Sequence, residues 1–532
     1  MQIRMNNLRV SLLKGTPLKE IVARKLGIRK ENIKAVHILR RAIDARRKNN
    51  ICLVYHLVLE VDGENKFVKK LLADQVVSLW TEEVPPKIVS GKESLDGRPV
   101  VIGAGPAGLI AAWKLAQRGY KPLLLERGKK LAQRVEDVQA FWQTGVFNPD
   151  SNVQFGEGGA GTFSDGKLTT RVNDPCLGAI LQLFVEAGAP EEILMEQKPH
   201  IGTDKLRVMV TGLTQKIVAL GGEIRYEQQV VDLVTAENQV VGVVVAGGEI
   251  IKSKAVVLAC GHSARDTYEM LAAQQVALEA KPFAIGLRIE HAQTLIDQAQ
   301  YGEFAGHPKL GAADYALVHH DNATGRTAYS FCMCPGGLVV AAASEAGGVV
   351  TNGMSGHLRN SGVANSALVV NVTPADFEPG PLGGISFQRH YEQLAFAAGG
   401  SSYKAPAQSV VSFVQGSTPT LDGVPAPTYT PGLVPYALAE LLPPYVAATL
   451  RSGLQEFGKK IKGFAETGCL TGLETRTSAP VRILRREEDK QSLSHAGLYP
   501  TGEGAGYAGG IMSAALDGYH VAEAIISRFR LD

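Results

Sequence analysis

The sequence predicts an α/β chain in which a parallel-sheet dinucleotide-binding unit carries a strand-rich insertion and follows a small N-terminal α+β module. Three observations predict it. Residues 99–126 run strand, glycine turn, helix, strand, acid, the order of a βαβ nucleotide-binding unit. Residues 281–372 are rich in strand formers and punctuated by glycine. The first ninety or so residues carry a surplus of roughly nine positive charges while the whole chain nets only +3, which marks a separate electrostatic unit.

At 532 residues the chain is longer than one hydrophobic core supports. The expected division is a basic module at 1–85, a dinucleotide-binding domain whose first part is 98–280 and whose C-terminal part is 471–532, and a substrate or cap domain at 281–470.

In the N-terminal module, Thr16-Pro17 starts a helix, Leu18, Ile21, Val22 and Leu26 form its apolar face, and Gly27 ends it. Residues 33–43 and 51–61 then form a hairpin around Arg46-Arg47-Lys48-Asn49-Asn50, so the module reads strand, helix, strand, strand. Pro85-Pro86 and the stretch 91–97 supply a linker. The start of the chain lacks the apolar region of a signal peptide, and no segment reaches the ~18 uninterrupted apolar residues of a membrane span. A cytoplasmic protein without a membrane anchor is expected. Six cysteines (Cys52, Cys176, Cys260, Cys332, Cys334, Cys469) include no CxxC or zinc-ligand spacing, so no metal site is expected.

From residue 98 the pattern becomes α/β: strand 99–102, glycine turn 103–108, helix 109–118 and strand 121–125. A helix at 206–220 follows, then strands near 223–233, 240–245 and 255–259, helices at 387–398 and 445–466, and a last helix at 511–529.

The glycine turn is Gly103-Ala104-Gly105-Pro106-Ala107-Gly108. Between a strand and a helix, each glycine meets a separate demand. Gly103 permits the tight turn, Gly105 lets the backbone approach a pyrophosphate, and Gly108 lets helix pack closely on strand. The helix start offers free N–H groups and a positive dipole end to the anion. Glu126, about 20 residues on, is placed to accept the hydroxyls of an adenosine ribose, and its charge would repel a 2′-phosphate. This is a Rossmann-type unit for one dinucleotide.

Two more segments select FAD over NAD. Gly502-Glu503-Gly504-Ala505-Gly506-Tyr507-Ala508-Gly509-Gly510-Ile511 is an acid-bearing glycine loop at a helix start. It looks like the second FAD motif of flavoproteins, in which the acid holds ribityl or pyrophosphate hydroxyls and the helix end faces the flavin ring. Ala255-Val-Val-Leu-Ala-Cys260-Gly261 resembles the strand that returns beneath the cofactor in the same class.

With these segments, Glu126-Arg127-Gly128 and the run Asn152-Val-Gln-Phe-Gly156-Glu157-Gly158-Gly159-Ala160-Gly161-Thr162-Phe-Ser164-Asp165-Gly166-Lys167-Leu168, the chain from Arg98 onward resembles the bacterial FAD-dependent dehydrogenases. This mostly uncharacterised group lies among the glutathione-reductase-type flavoproteins, near the aminoacetone-oxidase-like and geranylgeranyl-reductase-like groups. The likeness extends to the basic leader with its Ile43-Asp44-Ala45-Arg46 turn. It implies a Rossmann-type fold and FAD, and no substrate.

Several residues remain open between two readings. Arg127 and Arg134 either neutralise the pyrophosphate or are solvated surface arginines. Val230 matches the position whose backbone hydrogen-bonds the adenine. The loop 156–167 either lies against the flavin ring, bare of side chains, or is a surface turn. His357 as proton donor and Arg359 as carboxylate anchor stand against ordinary loop residues. Cys332 and Cys334 are either a redox pair or two half-buried thiols on one face of a strand. The ~6.6 Å between alternate Cα atoms of an extended strand favours the second.

The function these features support is an FAD-dependent oxidoreductase that moves a hydride or electron pair through flavin N5 to or from an unidentified small molecule, with NAD(P)H as a transient donor. A second reading is an RNA-associated flavoprotein that docks through the basic module, although the module lacks interleaved aromatics. A third, a membrane-surface quinone or isoprenoid reductase, finds no amphipathic anchor in the sequence.

Overall fold

The computed structural model describes residues 1–13, 15–62, 66–82, 85 and 88–531, with Phe67 described by its backbone alone. The expected linker residue Pro86 lies outside them.

The N-terminal module is a four-stranded antiparallel sheet in the order Ile33–Asp44, Cys52–Val61, Gln2–Ser11, Ser78–Leu79. Helix Leu18–Leu26 ends at Gly27, whose φ of 67° no β-branched residue would adopt without strain. Its Val22 and Leu26 pack with Ile3, Met5, Leu57 and Leu59. A helix at Lys66–Ala73 and the strand Ser78–Leu79 were not expected from the sequence. Eight residues are too few to hold a helix by propensity, and packing of Val68 into the module's core supplies the rest.

The module is not isolated. The backbone of Arg41 exchanges hydrogen bonds with Met195 and Gln197, and Leu12, Ile51 and Leu53 are buried in the same apolar cluster as Tyr301 and Phe283.

The nucleotide-binding core is a five-stranded parallel sheet in the order Leu498–Pro500, Val256–Leu258, Val100–Ile102, Leu123–Leu125, Glu223–Arg225. Each strand is three residues long; the four from Leu498–Pro500 to Leu123–Leu125 are fully buried, which explains their apolar runs, whereas the edge strand Glu223–Arg225 is half-buried and carries two charges. Helices Pro106–Gln117, Thr203–Ala219 and Ile511–Arg528 share one apolar cluster against the sheet. The antiparallel strands Val230–Ala236, Gln239–Val245 and Ile250–Lys252 contribute to the cluster on its other side. The stretch 223–233, read as one strand region, therefore divides between two sheets at Tyr226–Gln229.

The insertion is a seven-stranded sheet ordered Val318–Asp321, Arg326–Cys334, Val363–Val372, Phe283–Ala292, Cys469–Glu474, Ala405–Ser409, Leu433–Pro435. Helices Pro444–Lys460 and Gly383–Ala398 pack against it. A hairpin, Gly337–Ala341 with Thr351–Ser355, leans toward the nucleotide-binding core. Two buried ion networks lock the layers together: Glu392 accepts from Arg265 at 2.8 Å and Arg476 at 2.9 Å, and Arg288 donates to Glu474 at 3.0 Å. Among the described residues no helix is long and apolar enough to cross a membrane.

Candidate functional site

The carboxyl ends of the parallel strands open into a cavity of about 420 Å³ that runs from Glu126 and Val230 at one end to Cys332 and Asn352 at the other. This is where an open α/β sheet binds its ligand.

The glycine turn forms one wall. Gly103 has φ 100°, and a Cβ there would sit 2.4 Å from the Ala259 carbonyl. A Cβ on Gly108 would lie 1.9 Å from the Gly103 carbonyl, so the helix approaches the turn this closely only because Gly108 is bare. Gly105 faces open space, its nearest neighbour to an added Cβ being Gly159 Cα at 3.9 Å. Helix Pro106–Gln117 begins at Gly105 without a side-chain cap, as helix Ile511–Arg528 does at Gly510. Both uncapped ends line the cavity. Two helix starts with free N–H groups thus face one volume, which suits an anion at the first and a ring that gains negative charge at the second.

Glu126 is buried at the end of its strand. Its carboxylate accepts the backbone N–H groups of Ala104 at 2.7 Å, Gly128 at 2.9 Å and Gly156 at 2.9 Å. Of about four lone-pair positions on a carboxylate, one stays free for a ribose hydroxyl. Arg127 stacks on Phe155 and pairs with Asp266 at 2.6 Å along the same wall.

In the middle of the cavity lie Glu503 and His262, 3.9 Å apart. Burial pushes the Glu503 carboxyl up to about 7, with Lys281 drawing it back. Burial, helped by the nearby guanidinium groups of Arg476 and Arg265, pushes His262 down to about 3, so its ring is neutral. Neither ring nitrogen has a hydrogen-bond partner among the described residues. Buried donors and acceptors left in this state are expensive, and a polar cofactor running past Glu503 would satisfy them. The cradle of bare glycines, the two helix ends and the orphaned imidazole together fit FAD.

The far end is built by Ser164, Asp165, Lys167, Cys332, Asn352 and Glu474. Asp165 is held well below the usual carboxylate range by Lys167 and Arg359, against its own burial. Lys167 lies 3.1 Å from it and also donates to the Met333 carbonyl. Glu474 is pushed up to about 7 by burial, with Arg288 opposing.

The structure brings Gly103, Gly105, Pro106, Ala107, Glu126, Arg127, Gly159, Ala160, Gly161, Lys167, Val230, Cys260, Gly261, Glu503, Gly509, Gly510 and Ile511 to the cavity. It leaves Gly108, Gly156, Gly158, Thr162 and Gly502 outside the cavity wall, where a Cβ on Gly108 would strike the Gly103 carbonyl and one on Gly156, Gly158 or Gly502 would strike the side chain of Arg134, Thr162 or Ala107.

Four expectations are corrected. Arg134 is neither a surface arginine nor a pyrophosphate ligand: it is fully buried, and its guanidinium donates to the carbonyls of Asn152, Val153, Gly156 and Glu157. It braces the glycine loop from behind. His357 stacks on His200 and bonds the Ile201 carbonyl away from the cavity. Arg359 is bidentate on Asp165, at 2.9 and 2.5 Å, so it carries no free carboxylate anchor. Cys332 is not in extended strand; its φ is 44°, at a bulge between Phe331 and Cys334.

Sequence reasoning missed His262, Asp165 and Glu474. His262 directly follows Gly261, so its place could be read from the strand that returns under the cofactor. Glu474 comes from a strand far along the chain and had no local signal.

Residues 97–298 match the family model described as pyridine nucleotide-disulphide oxidoreductase, and residues 282–477 match the FAD-dependent protein, C-terminal domain-like model. Residues 2–60 match a domain of unknown function. An uncharacterized protein of Clostridium beijerinckii (strain ATCC 51743 / NCIMB 8052) is 49% identical over 534 residues, with all of both chains covered. Among solved structures, L-proline dehydrogenase from P. horikoshii is 14% identical over 82% of this chain and 94% of that chain, with a TM-score of 0.39. Glycine oxidase from Bacillus cereus ATCC 14579 is 11% identical over 81% and 94%, with a TM-score of 0.33.

Proposed function

Because the chain belongs to a family of FAD-dependent oxidoreductases that includes the clostridial relative, we propose that it moves a hydride or electron pair between FAD and a small molecule that enters beside Lys167 and Asn352. The observation that carries this reading is the convergence of two uncapped helix starts, at Gly105 and Gly510, on one cavity.

FAD supplies the two-electron chemistry at its ring. In this reading Glu126 takes the adenosine ribose, and Gly105 with the N–H groups of the first helix takes the pyrophosphate. Glu503 and His262 would hold the ribityl chain, and the Ile511 helix end would stabilise negative charge on the ring. The glycine loop would border the cofactor at Gly159 and Gly161, which line the cavity beside Gly105; a Cβ on Gly159 would sit 2.9 Å from Gly105 Cα. At the far end Glu474, poised near 7 and shielded from water, is placed to hold or release a proton as substrate is oxidised or reduced. NAD(P)H is the proposed transient donor. The division into a module at 1–85, a split cofactor domain and a cap at 281–470 belongs to the same reading.

Purified protein should be yellow and release about one FAD per chain with no FMN, because the unit around Glu126 is built for an adenosine half. FMN in the released fraction, or a colourless chain that takes up no added FAD, overturns the reading. Rapid-mixing reduction by NADH and NADPH then identifies the donor.

A further inference from the structure

We propose that Asp174, Cys176 and His520 form a zinc site that staples the last helix of the chain to the segment following the glycine loop. None of these residues lines the cofactor cavity, so the inference stands or falls apart from the flavin reading.

Three kinds of donor meet at this place. Asp174 lies just before the helix Cys176–Glu186, Cys176 is the first residue of that helix, and His520 comes from the helix Ile511–Arg528, 346 residues away from Asp174. A carboxylate oxygen, the thiol sulfur and an imidazole nitrogen lie within 4.8 Å of one another. Zinc bonds of about 2.0–2.3 Å set tetrahedral ligand edges of roughly 3.3–3.6 Å, so a contraction of roughly 1 Å, within reach of side-chain rotation, closes the three around one ion. A thiolate, an imidazole and a carboxylate together suit Zn²⁺, whereas Mg²⁺ and Ca²⁺ take oxygen ligands. The cysteine spacing predicts no such site because the third ligand arrives only when the two helices pack.

The groups behind the three are placed to orient metal ligands. Asp174 Oδ1 accepts the Cys176 backbone N–H at 2.8 Å, which fixes the carboxylate and leaves Oδ2 at 2.9 Å from His520 Nε2. On the other side of the ring, His520 Nδ1 lies 3.2 Å from Glu523 Oε2. A histidine that binds metal through one nitrogen and gives its other N–H to a carboxylate has its tautomer and ring orientation fixed in this way. Zinc would take the place of the proton between Nε2 and Asp174, and would displace the Cys176 proton as the sulfur coordinates.

Charge favours a divalent cation as well. Asp174, Glu523 and a Cys176 thiolate bring three negative charges against the single positive charge of Lys114, whose Nζ lies 3.8 Å from Glu523 and 2.6 Å from the Tyr519 hydroxyl. A bound Zn²⁺ leaves this group neutral. Cys176 is buried while the His520 side chain is one-third exposed, which gives the ion a path from solvent and room for water as its fourth ligand. The staple acts on the helix whose start, at Ile511, lines the cofactor cavity.

The test uses the full chain, treated with a chelator, desalted and dialysed against dilute zinc chloride, with bound metal measured by elemental analysis after gel filtration. About one zinc per chain is expected, with a melting temperature above that of the chelated protein. Co²⁺ in place of zinc should give the visible bands of tetrahedral thiolate coordination, to the red of oxidised flavin. Cys176→Ser should lose those bands, and His520→Gln should lose stoichiometric zinc. Glu523→Gln keeps all three ligands and should weaken binding about 10–100-fold. The melting temperatures of the chelated variants separate loss of the site from loss of the fold, and the cobalt spectrum of the wild-type chain needs no variant. A wild-type chain that takes up no zinc and shows no cobalt bands overturns the inference and leaves His520 as an imidazole held between two carboxylates. Zinc retained equally by wild type, Cys176→Ser and His520→Gln lies elsewhere, and overturns it too.

Discussion

Glu126 Oε2 accepts the backbone N–H of Ala104 at 2.7 Å, and Oε1 of the same carboxylate accepts those of Gly128 and Gly156. One side chain thus joins the glycine turn, its own strand end and the loop that lies along the cavity. Glu126→Ala leaves three buried N–H groups without partners, each costing about 1–3 kcal/mol. The expected outcome is a folded but clearly less stable protein that loses FAD on dialysis. Bound flavin by absorbance and the melting temperature of the apoprotein check it, and a variant that keeps its flavin like wild type contradicts the ribose role.

Two glycines of the same turn should separate fold from cofactor. An alanine at Gly105 meets nothing nearer than 3.9 Å, whereas one at Gly103 would press within 2.4 Å of a carbonyl at φ 100°. Gly105→Ala should therefore keep the melting temperature of the apoprotein and weaken FAD binding. Gly103→Ala should lower that melting temperature itself. Equal behaviour of the two variants would show that Gly105 does not face the cofactor.

Glu392 carries the buried ion network, with Arg265 and Arg476 both bonded to its carboxylate and Thr475 donating at 2.7 Å. Removing one partner from a buried pair leaves charges uncompensated, which costs about 3–5 kcal/mol. Glu392→Gln should lower the urea midpoint by a corresponding amount. Because Arg476 lines the cavity, the variant should also bind FAD more weakly. A midpoint within error of wild type would mean that the two guanidinium groups find other partners.

The Glu503 carboxyl gives a pH signature. Folded, it keeps its proton up to about 7, against 4.5 as its ordinary value. Between these limits the folded chain binds more protons than the unfolded one, so its contribution to stability falls as pH rises through this window and is flat below it. Glu503→Gln removes the effect. Urea unfolding of cofactor-free protein should show the variant gaining on wild type at about pH 8 and little changed in comparison at about pH 5. The same difference at both values would place the Glu503 carboxyl in contact with solvent.

The elements legible in the sequence are those whose physics is local. The turn from Gly103 to Gly108, the acid at Glu126 and the glycine loop before Ile511 each demand a particular backbone within a few residues. Composition and spacing therefore identified the FAD-type core and most of the cavity wall. What depends on distant segments was settled by tertiary packing. Arg134 looked like a cofactor or surface residue until the carbonyls of residues 152–157 closed around it. His357 and Arg359 looked free until Ile201 and Asp165 engaged them. Cys332 and Cys334 looked like neighbours on a flat strand until Arg288 and Lys167, from separate elements, met the bulge between them. Burial and charge at each of these sites come from residues tens to hundreds of positions away, and no local pattern in the chain encodes which of them will meet.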